Sequence, residues 1–112
     1  MNPEGHLQAA QELRATMSRL IIPDDIRTYV EVTLGTAQHY VSYGLGQRHG
    51  AHPDRHMGMA RVLREQGYPE IADALVTLEH LRLGRWYGRR GNGQTAIQCN
   101  QLLARVEEWA LG

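Results

Sequence analysis

The chain has 112 residues, a formal net charge of zero at pH 7 and a hydrophobic share of 42 %. This length fits one domain over residues 1–112 with one core, and the charge balance argues against a protein that coats polyanions without regard to sequence. No uninterrupted apolar run exceeds the three residues of Leu20 to Ile22, so we expect no membrane segment. The N-terminus lacks the basic segment and apolar stretch of a signal peptide, and the chain has a single cysteine, Cys99. We therefore expect a cytoplasmic protein without an internal disulfide.

The first half of the chain reads as two long helices. Apolar residues recur there at helical spacing, and no part of the sequence shows the sustained alternation of a strand. The first helix is predicted from about Pro3 to Leu20. The second is predicted from a cap at Asp24 or Asp25 to about Leu45. Gly35 and Gly44 are costly inside this second helix, which predicts that another helix packs closely there.

Three more helices are predicted in the second half. Pro53 begins the third helix and Gly67 ends it, Pro69 begins the fourth, and Thr95 with Gln98 has the spacing of a capping box for the fifth. Five amphipathic helices with short connections predict an all-α protein, an up-and-down helical bundle of four to five helices. The four long helices would form the core, with the shorter third helix set across it.

Half of the six histidines lie near the predicted third helix. His49, His52 and His56 are spaced H-x2-H-x3-H, which suits a metal site, a cap with packing roles, or an anion site that includes Arg48 at a helix N-terminus. His52 precedes the proline that begins the helix, so it is not part of an i, i+4 ligand pair, and no further ligand motif accompanies the three imidazoles. We therefore expect no bound metal and no cofactor.

A second constellation lies near the end of the fourth helix. Arg82 continues the apolar stripe that contains Leu75 and Leu78, and a buried guanidinium needs an acceptor. One interpretation is that the helix end reaches solvent and Arg82 extends into it. The other is that Arg82, Arg85 and Tyr87 line a cleft that receives phosphate, with aromatic rings beside it to stack a base.

These motifs resemble the HEPN superfamily of small helical-bundle domains, from about residue 26 onward. The resemblance is carried by His39-Tyr40-Val41, by His52-Pro53 with His56, and by Tyr87, where Trp86 replaces the arginine usual in the group of short bacterial members that the chain is most similar to. Many HEPN proteins are metal-independent ribonucleases of toxin–antitoxin and phage-defence systems. The resemblance implies a homodimer in which an arginine is followed, after four to six residues, by a catalytic histidine.

The chain departs from that ribonuclease motif. Arg82 is present, but the positions four to seven residues after it hold Trp86, Tyr87, Gly88 and Arg89, with no histidine. Tyrosine, whose unperturbed pKa is about 10, is a poor replacement near neutral pH. The resemblance therefore implies a non-catalytic module that binds a nucleotide or RNA. The alternatives are an atypical ribonuclease that uses His52 or His56, and a structural partner of a nucleotidyltransferase.

Overall fold

Five helices build the part of the chain that the structure, a computed structural model, describes: residues 1–50, 58–87 and 92–112, with the side chains of residues 85–87 and 92 excepted. They are α1 (Pro3–Met17), α2 (Ile26–His49), α3 (Met59–Glu65), α4 (Pro69–Tyr87) and α5 (Asn92–Leu111). Helix α2 is central and packs against each of the other four. No strand occurs among the described residues, so the prediction of an all-α helical bundle is confirmed. None of the helices found there combines the length and apolarity needed to cross a bilayer.

Several helix ends follow the local signals in the sequence. The side chain of Asn2 accepts a hydrogen bond from the backbone N–H of Gly5 at 2.8 Å, which caps α1 just before its first residue, Pro3. Helix α4 begins at Pro69, as predicted, because a proline in the first helical position lacks only an N–H that would have no partner there. Gly67 has φ +93°, a conformation that favours glycine, and separates α3 from α4 as predicted.

The first two helices differ in length from the prediction. Helix α1 ends at Met17 rather than at Leu20. Helix α2 continues past Leu45 to His49, where Gly50 adopts φ +71° and donates its N–H to a carbonyl of the last turn. The glycines near the end of α2 do not end the helix, because tertiary packing compensates for their weak helix propensity.

The third and fifth helices differ in how far their predicted starts can be compared with the structure. Helix α3 is described from Met59, after Gly58 at φ +83°, and its predicted start at Pro53 lies in residues 51–57, outside the described range. Helix α5 already begins at Asn92, so Thr95 is not its cap. Thr95 is instead buried inside the helix. The local S/T-x-x-E/Q pattern is short enough to occur by chance within a helix.

The core lies where α2 meets its neighbours, and the predicted apolar stripes face it. Cys99 is 0 % exposed, and burial raises the pKa of its thiol to about 11. Tyr40 is also buried and donates to the carboxylate of Glu107 at 2.9 Å; burial first, and this bond second, raise its pKa to about 12. The buried side of α2 comprises Ile26, Val30, Thr33, Leu34, Ala37, Tyr40, Val41 and Leu45.

Candidate functional site

A cleft of about 650 Å³ opens between α2, α3 and α4, and Arg82 lies in its wall. Its volume falls within the range of small-molecule sites. Three ionisable side chains and one buried amide share this cleft with apolar groups. The lining residues are Glu31, Leu34, Gly35, Gln38, Gly58, Met59, Ala60, Glu79 and Arg82.

The guanidinium of Arg82 is poorly satisfied by the protein. Its Nη1 lies 4.0 Å from Oε2 of Glu31, beyond hydrogen-bond distance, and the two side chains are 42 % and 46 % exposed. Its Nε is buried and finds no acceptor in the part of the chain that the structure describes. A buried polar atom without a partner is uncommon in native proteins, and at a cleft it marks a position where a ligand atom would be favoured.

The pattern of α4 explains why an arginine lies here. Leu75 and Leu78 are buried at successive turns of α4, and Arg82 follows them where the packed stripe reaches the cleft. Glu31 occupies the opposite wall, on α2, one turn before Gly35. The side chain of Arg82 is thus partly exposed to solvent and lines a cleft. That the cleft receives a ligand, with Arg85 and Tyr87 beside Arg82, stays a prediction.

Arg48 is engaged in a different way. Its Nη1 donates to the carbonyl oxygen of Gly44 at 3.4 Å, and its Nη2 donates to the carbonyl oxygen of Trp109, near the C-terminal end of α5. Its guanidinium carbon lies 4.6 Å from the centroid of the Trp109 ring, a cation–π contact. The side chain that the sequence offered as an anion ligand thus ties the end of α5 to the end of α2.

Aromatic groups complete this second cluster. The ring of Tyr68 meets that of Trp109 edge-on at a centroid distance of 5.1 Å, and the hydroxyl of Tyr68 lies 3.0 Å from Nε2 of His49. A Cβ added to Gly44 would lie 2.5 Å from the Trp109 ring, so glycine allows the ring to approach α2. The close approach predicted at Gly44 is confirmed. At Gly35 it is wrong, because an added Cβ would meet only a Leu13 methyl at 3.6 Å.

Two other histidines form a contact that the sequence did not reveal. Nδ1 of His6 lies 2.9 Å from Nδ1 of His39, which joins α1 to α2. The motif His39-Tyr40-Val41, on which the resemblance partly depends, thus serves packing: its histidine contacts α1, and its other two residues are buried. Among the described residues, no group of three or more side chains of the kinds that bind metals comes together.

The candidate residues are distributed unevenly over the described range. Arg82 lines the cleft, Arg48 lies in the second cluster, His52 and His56 fall outside the described residues, and the side chains of Arg85 and Tyr87 are likewise outside them. Sequence reasoning missed two polar residues of the cleft, Glu31 and Gln38. The sequence places Glu79 one helical turn before Arg82. Glu31 and Gln38, by contrast, become neighbours of Arg82 only through the packing of α2 on α4.

Comparison with protein-family models, with curated proteins and with solved structures finds no match. The resemblance to the HEPN superfamily remains a prediction from short motifs. The motif residues at positions 39 to 41 do not line the cleft: Tyr40 and Val41 are buried, and His39 is partly buried against α1.

Proposed function

We propose that this protein is a non-catalytic, HEPN-like module that binds a nucleotide or a segment of RNA in the cleft lined by Arg82. The observation that carries the proposal is the state of the guanidinium: half-exposed in a cleft, with Nε lacking an acceptor in the described part of the chain. A guanidinium offers five N–H donors in a planar fork, and it serves widely in the recognition of phosphates and base edges.

The surroundings of Arg82 support a ligand role rather than a purely structural one. Its one described ion pair, with Glu31, has a 4.0 Å separation and lies between half-exposed groups, where such pairs contribute at most about 1 kcal/mol. The backbone of α4 remains helical to residue 87, so positions 82 and 85 are neighbours on one helix. Arg85 and Tyr87 remain predicted contacts of the same ligand.

A non-catalytic role agrees with the chemistry of the cleft. General acid–base catalysis near neutral pH most often uses an imidazole within hydrogen-bond distance of the reacting group. No histidine of the described residues lines the cleft. Of the four described histidines, His6 contacts His39, His49 contacts Tyr68, and His80 is exposed on α4 without lining the cleft.

Thermal unfolding with a panel of nucleotides and short RNAs tests the proposal, because a ligand that binds only the folded state raises its apparent stability. We expect the Tm to rise with at least one nucleotide or RNA, and the rise to disappear in Arg82→Ala. The matched control is Arg61→Ala on α3, which also removes one positive charge from an ion pair, but at a side chain that is 83 % exposed and outside the cleft. An equal loss of binding in both variants would point to general charge rather than to the cleft.

The alternatives predict other outcomes of the same experiment. An atypical ribonuclease would cleave the RNA probes during the incubation, and cleavage would stop in His52→Ala or His56→Ala. A structural partner of a nucleotidyltransferase would show no Tm shift with any nucleotide or RNA. The homodimer implied by the resemblance is tested separately, by the molar mass in solution.

A further inference from the structure

We propose that the cleft at Arg82 holds the base of a guanine nucleotide rather than its phosphate. This inference rests on the proposed function and adds the chemical group that Arg82 recognises. It follows from the two carboxylates that share the cleft with the guanidinium. Of the ionisable lining residues, Glu31 and Glu79 are acidic and Arg82 is basic, so the lining carries a formal charge of −1.

A phosphate is poorly matched to this lining. Beside Arg82 it would also lie near Glu31, whose carboxylate oxygen is 4.0 Å from Nη1 of the guanidinium. A phosphate in contact with the guanidinium would lie close to this carboxylate, and like charges in a partly desolvated cleft repel each other. Phosphate sites instead combine arginine with backbone N–H groups or further cations.

A neutral base edge matches the same groups. Arg82 offers donors, including the buried Nε that lacks an acceptor in the described structure, and Glu31 and Glu79 offer acceptors. Gln38, which is 6 % exposed, also lines the cleft, and a side-chain amide can both donate and accept hydrogen bonds. The cleft therefore presents donors beside acceptors, which is the pattern that reads a nucleobase.

Guanine fits this pattern best among the four bases. Arginine pairs with its O6 and N7, two acceptors on one edge. Its N1–H and its 2-amino group are donors on the adjacent edge, where a carboxylate such as that of Glu31 can accept from both. Adenine offers N7 beside an amino group but lacks the second acceptor for the guanidinium. The apolar walls at Leu34 and Met59 suit the faces of a planar ring.

A set of small ligands separates the base from the phosphate. Titrations by calorimetry would use guanosine, GMP, adenosine, inosine and ribose 5-phosphate. We expect guanosine and GMP to bind within about threefold of each other, and ribose 5-phosphate not to bind. Adenosine should bind at least about tenfold more weakly than guanosine, since one good bidentate contact to a base contributes that much discrimination. Inosine lacks only the 2-amino group and should fall between them.

Two variants test whether the carboxylate of Glu31 accepts hydrogen bonds from the base. Glu31→Gln should weaken guanosine binding by at least about tenfold, because the amide replaces one acceptor oxygen by a donor. The control Glu65→Gln removes an acid that is bound to Arg61 on α3, outside the cleft, and should leave binding unchanged. Circular dichroism of both variants confirms that they are folded.

Three results would overturn the inference in distinguishable ways. Binding of ribose 5-phosphate, with tighter GMP binding in Glu31→Gln, would make Arg82 a phosphate ligand and leave the proposed function standing. Binding of RNA that depends on Arg82 but shows no preference for guanine would also refute only the inference. No binding of any nucleoside, nucleotide or RNA would refute the inference and the proposed function together.

Discussion

Two arginines in this small bundle lie in opposite surroundings. Arg48 donates to two backbone carbonyl groups, those of Gly44 and Trp109, and stacks on the Trp109 ring. Arg82 has one distant carboxylate, that of Glu31, and an Nε without an acceptor in the described structure. The comparison shows that an exposed arginine can be part of the scaffold, while one on an apolar stripe can be left without good partners.

The two regions also differ in how glycine is used on α2. At the Arg48 end, Gly44 leaves room for the Trp109 ring, and the space is filled. At the Arg82 end, Gly35 lines an open cleft, and a Cβ there would meet one methyl group at ordinary contact distance. The surface of α2 is therefore close-packed at Gly44 and faces a cleft at Gly35, as expected if the first region holds the helices together and the second receives a ligand.

The largest effect on stability is expected from Gly44→Ala. Alanine favours the helix by about 1 kcal/mol, but its Cβ would lie 2.5 Å from a Trp109 ring that Arg48 and Tyr68 hold in place. Overpacking of this kind costs about 1–3 kcal/mol, so we expect a net loss of up to about 2 kcal/mol in the free energy of unfolding measured by urea titration. A gain in stability would mean that the ring moves aside easily and that the end of α2 is not close-packed.

A somewhat smaller loss is expected from Arg48→Ala. The substitution removes two hydrogen bonds to carbonyl groups and the stacking contact on Trp109, at an exposed side chain where solvent replaces part of what is lost. We expect a loss of about 1 kcal/mol in the free energy of unfolding. Arg48→Lys keeps the charge without the planar fork and should restore only part of it. If Arg48→Ala instead abolished nucleotide binding at unchanged stability, the assignment of Arg48 to the scaffold would be wrong.

Gly35→Ala should change stability in the opposite direction from Gly44→Ala. The nearest atom to the added Cβ is Cδ1 of Leu13 at 3.6 Å, so no clash offsets the better helix propensity. A gain of about 0.5–1 kcal/mol in the free energy of unfolding is expected, because alanine has the higher helix propensity and restricts the unfolded chain. Urea titration of Gly35→Ala and Gly44→Ala under the same conditions measures both free energies of unfolding. A decrease in both variants would show that the surroundings of the two glycines do not differ as described.

The sequence predicted the helices and their buried sides well, because both depend on local periodicity. The apolar residues that recur at helical spacing in the first half of the chain are buried on α2, as that spacing predicts. The predicted start of α5 was wrong, since a threonine with the spacing of a capping box also occurs inside a helix. Arg82 was identified because it continues an apolar stripe, a signal that lies within one helix.

The partners of the two arginines could not be predicted in the same way. Glu31 and Gln38 lie more than 40 positions before Arg82, and Trp109 lies about 60 after Arg48, so only the packing of separate helices brings them together. The histidines show the same limit. His49, His52 and His56 attracted attention by their spacing, whereas the contact between His6 and His39 depends on how α1 lies on α2.

The smallest effect on stability is expected from Arg82→Ala, and it is the sharpest test of the comparison. Loss of the pair with Glu31 costs little, because its 4.0 Å separation and half-exposed groups are those of a weak surface pair. Removal of the buried Nε relieves a donor that has no acceptor in the described structure, which offsets that cost. We expect the free energy of unfolding to change by less than about 0.5 kcal/mol, with an unchanged urea m-value, while nucleotide binding is lost.

A loss of about 3 kcal/mol, typical of a broken buried ion pair, would place Arg82 with Arg48 in the scaffold. The double variant Arg82→Ala with Glu31→Ala decides between the two cases, because a weak pair predicts losses that add within about 0.5 kcal/mol, and a structural pair predicts a larger coupling.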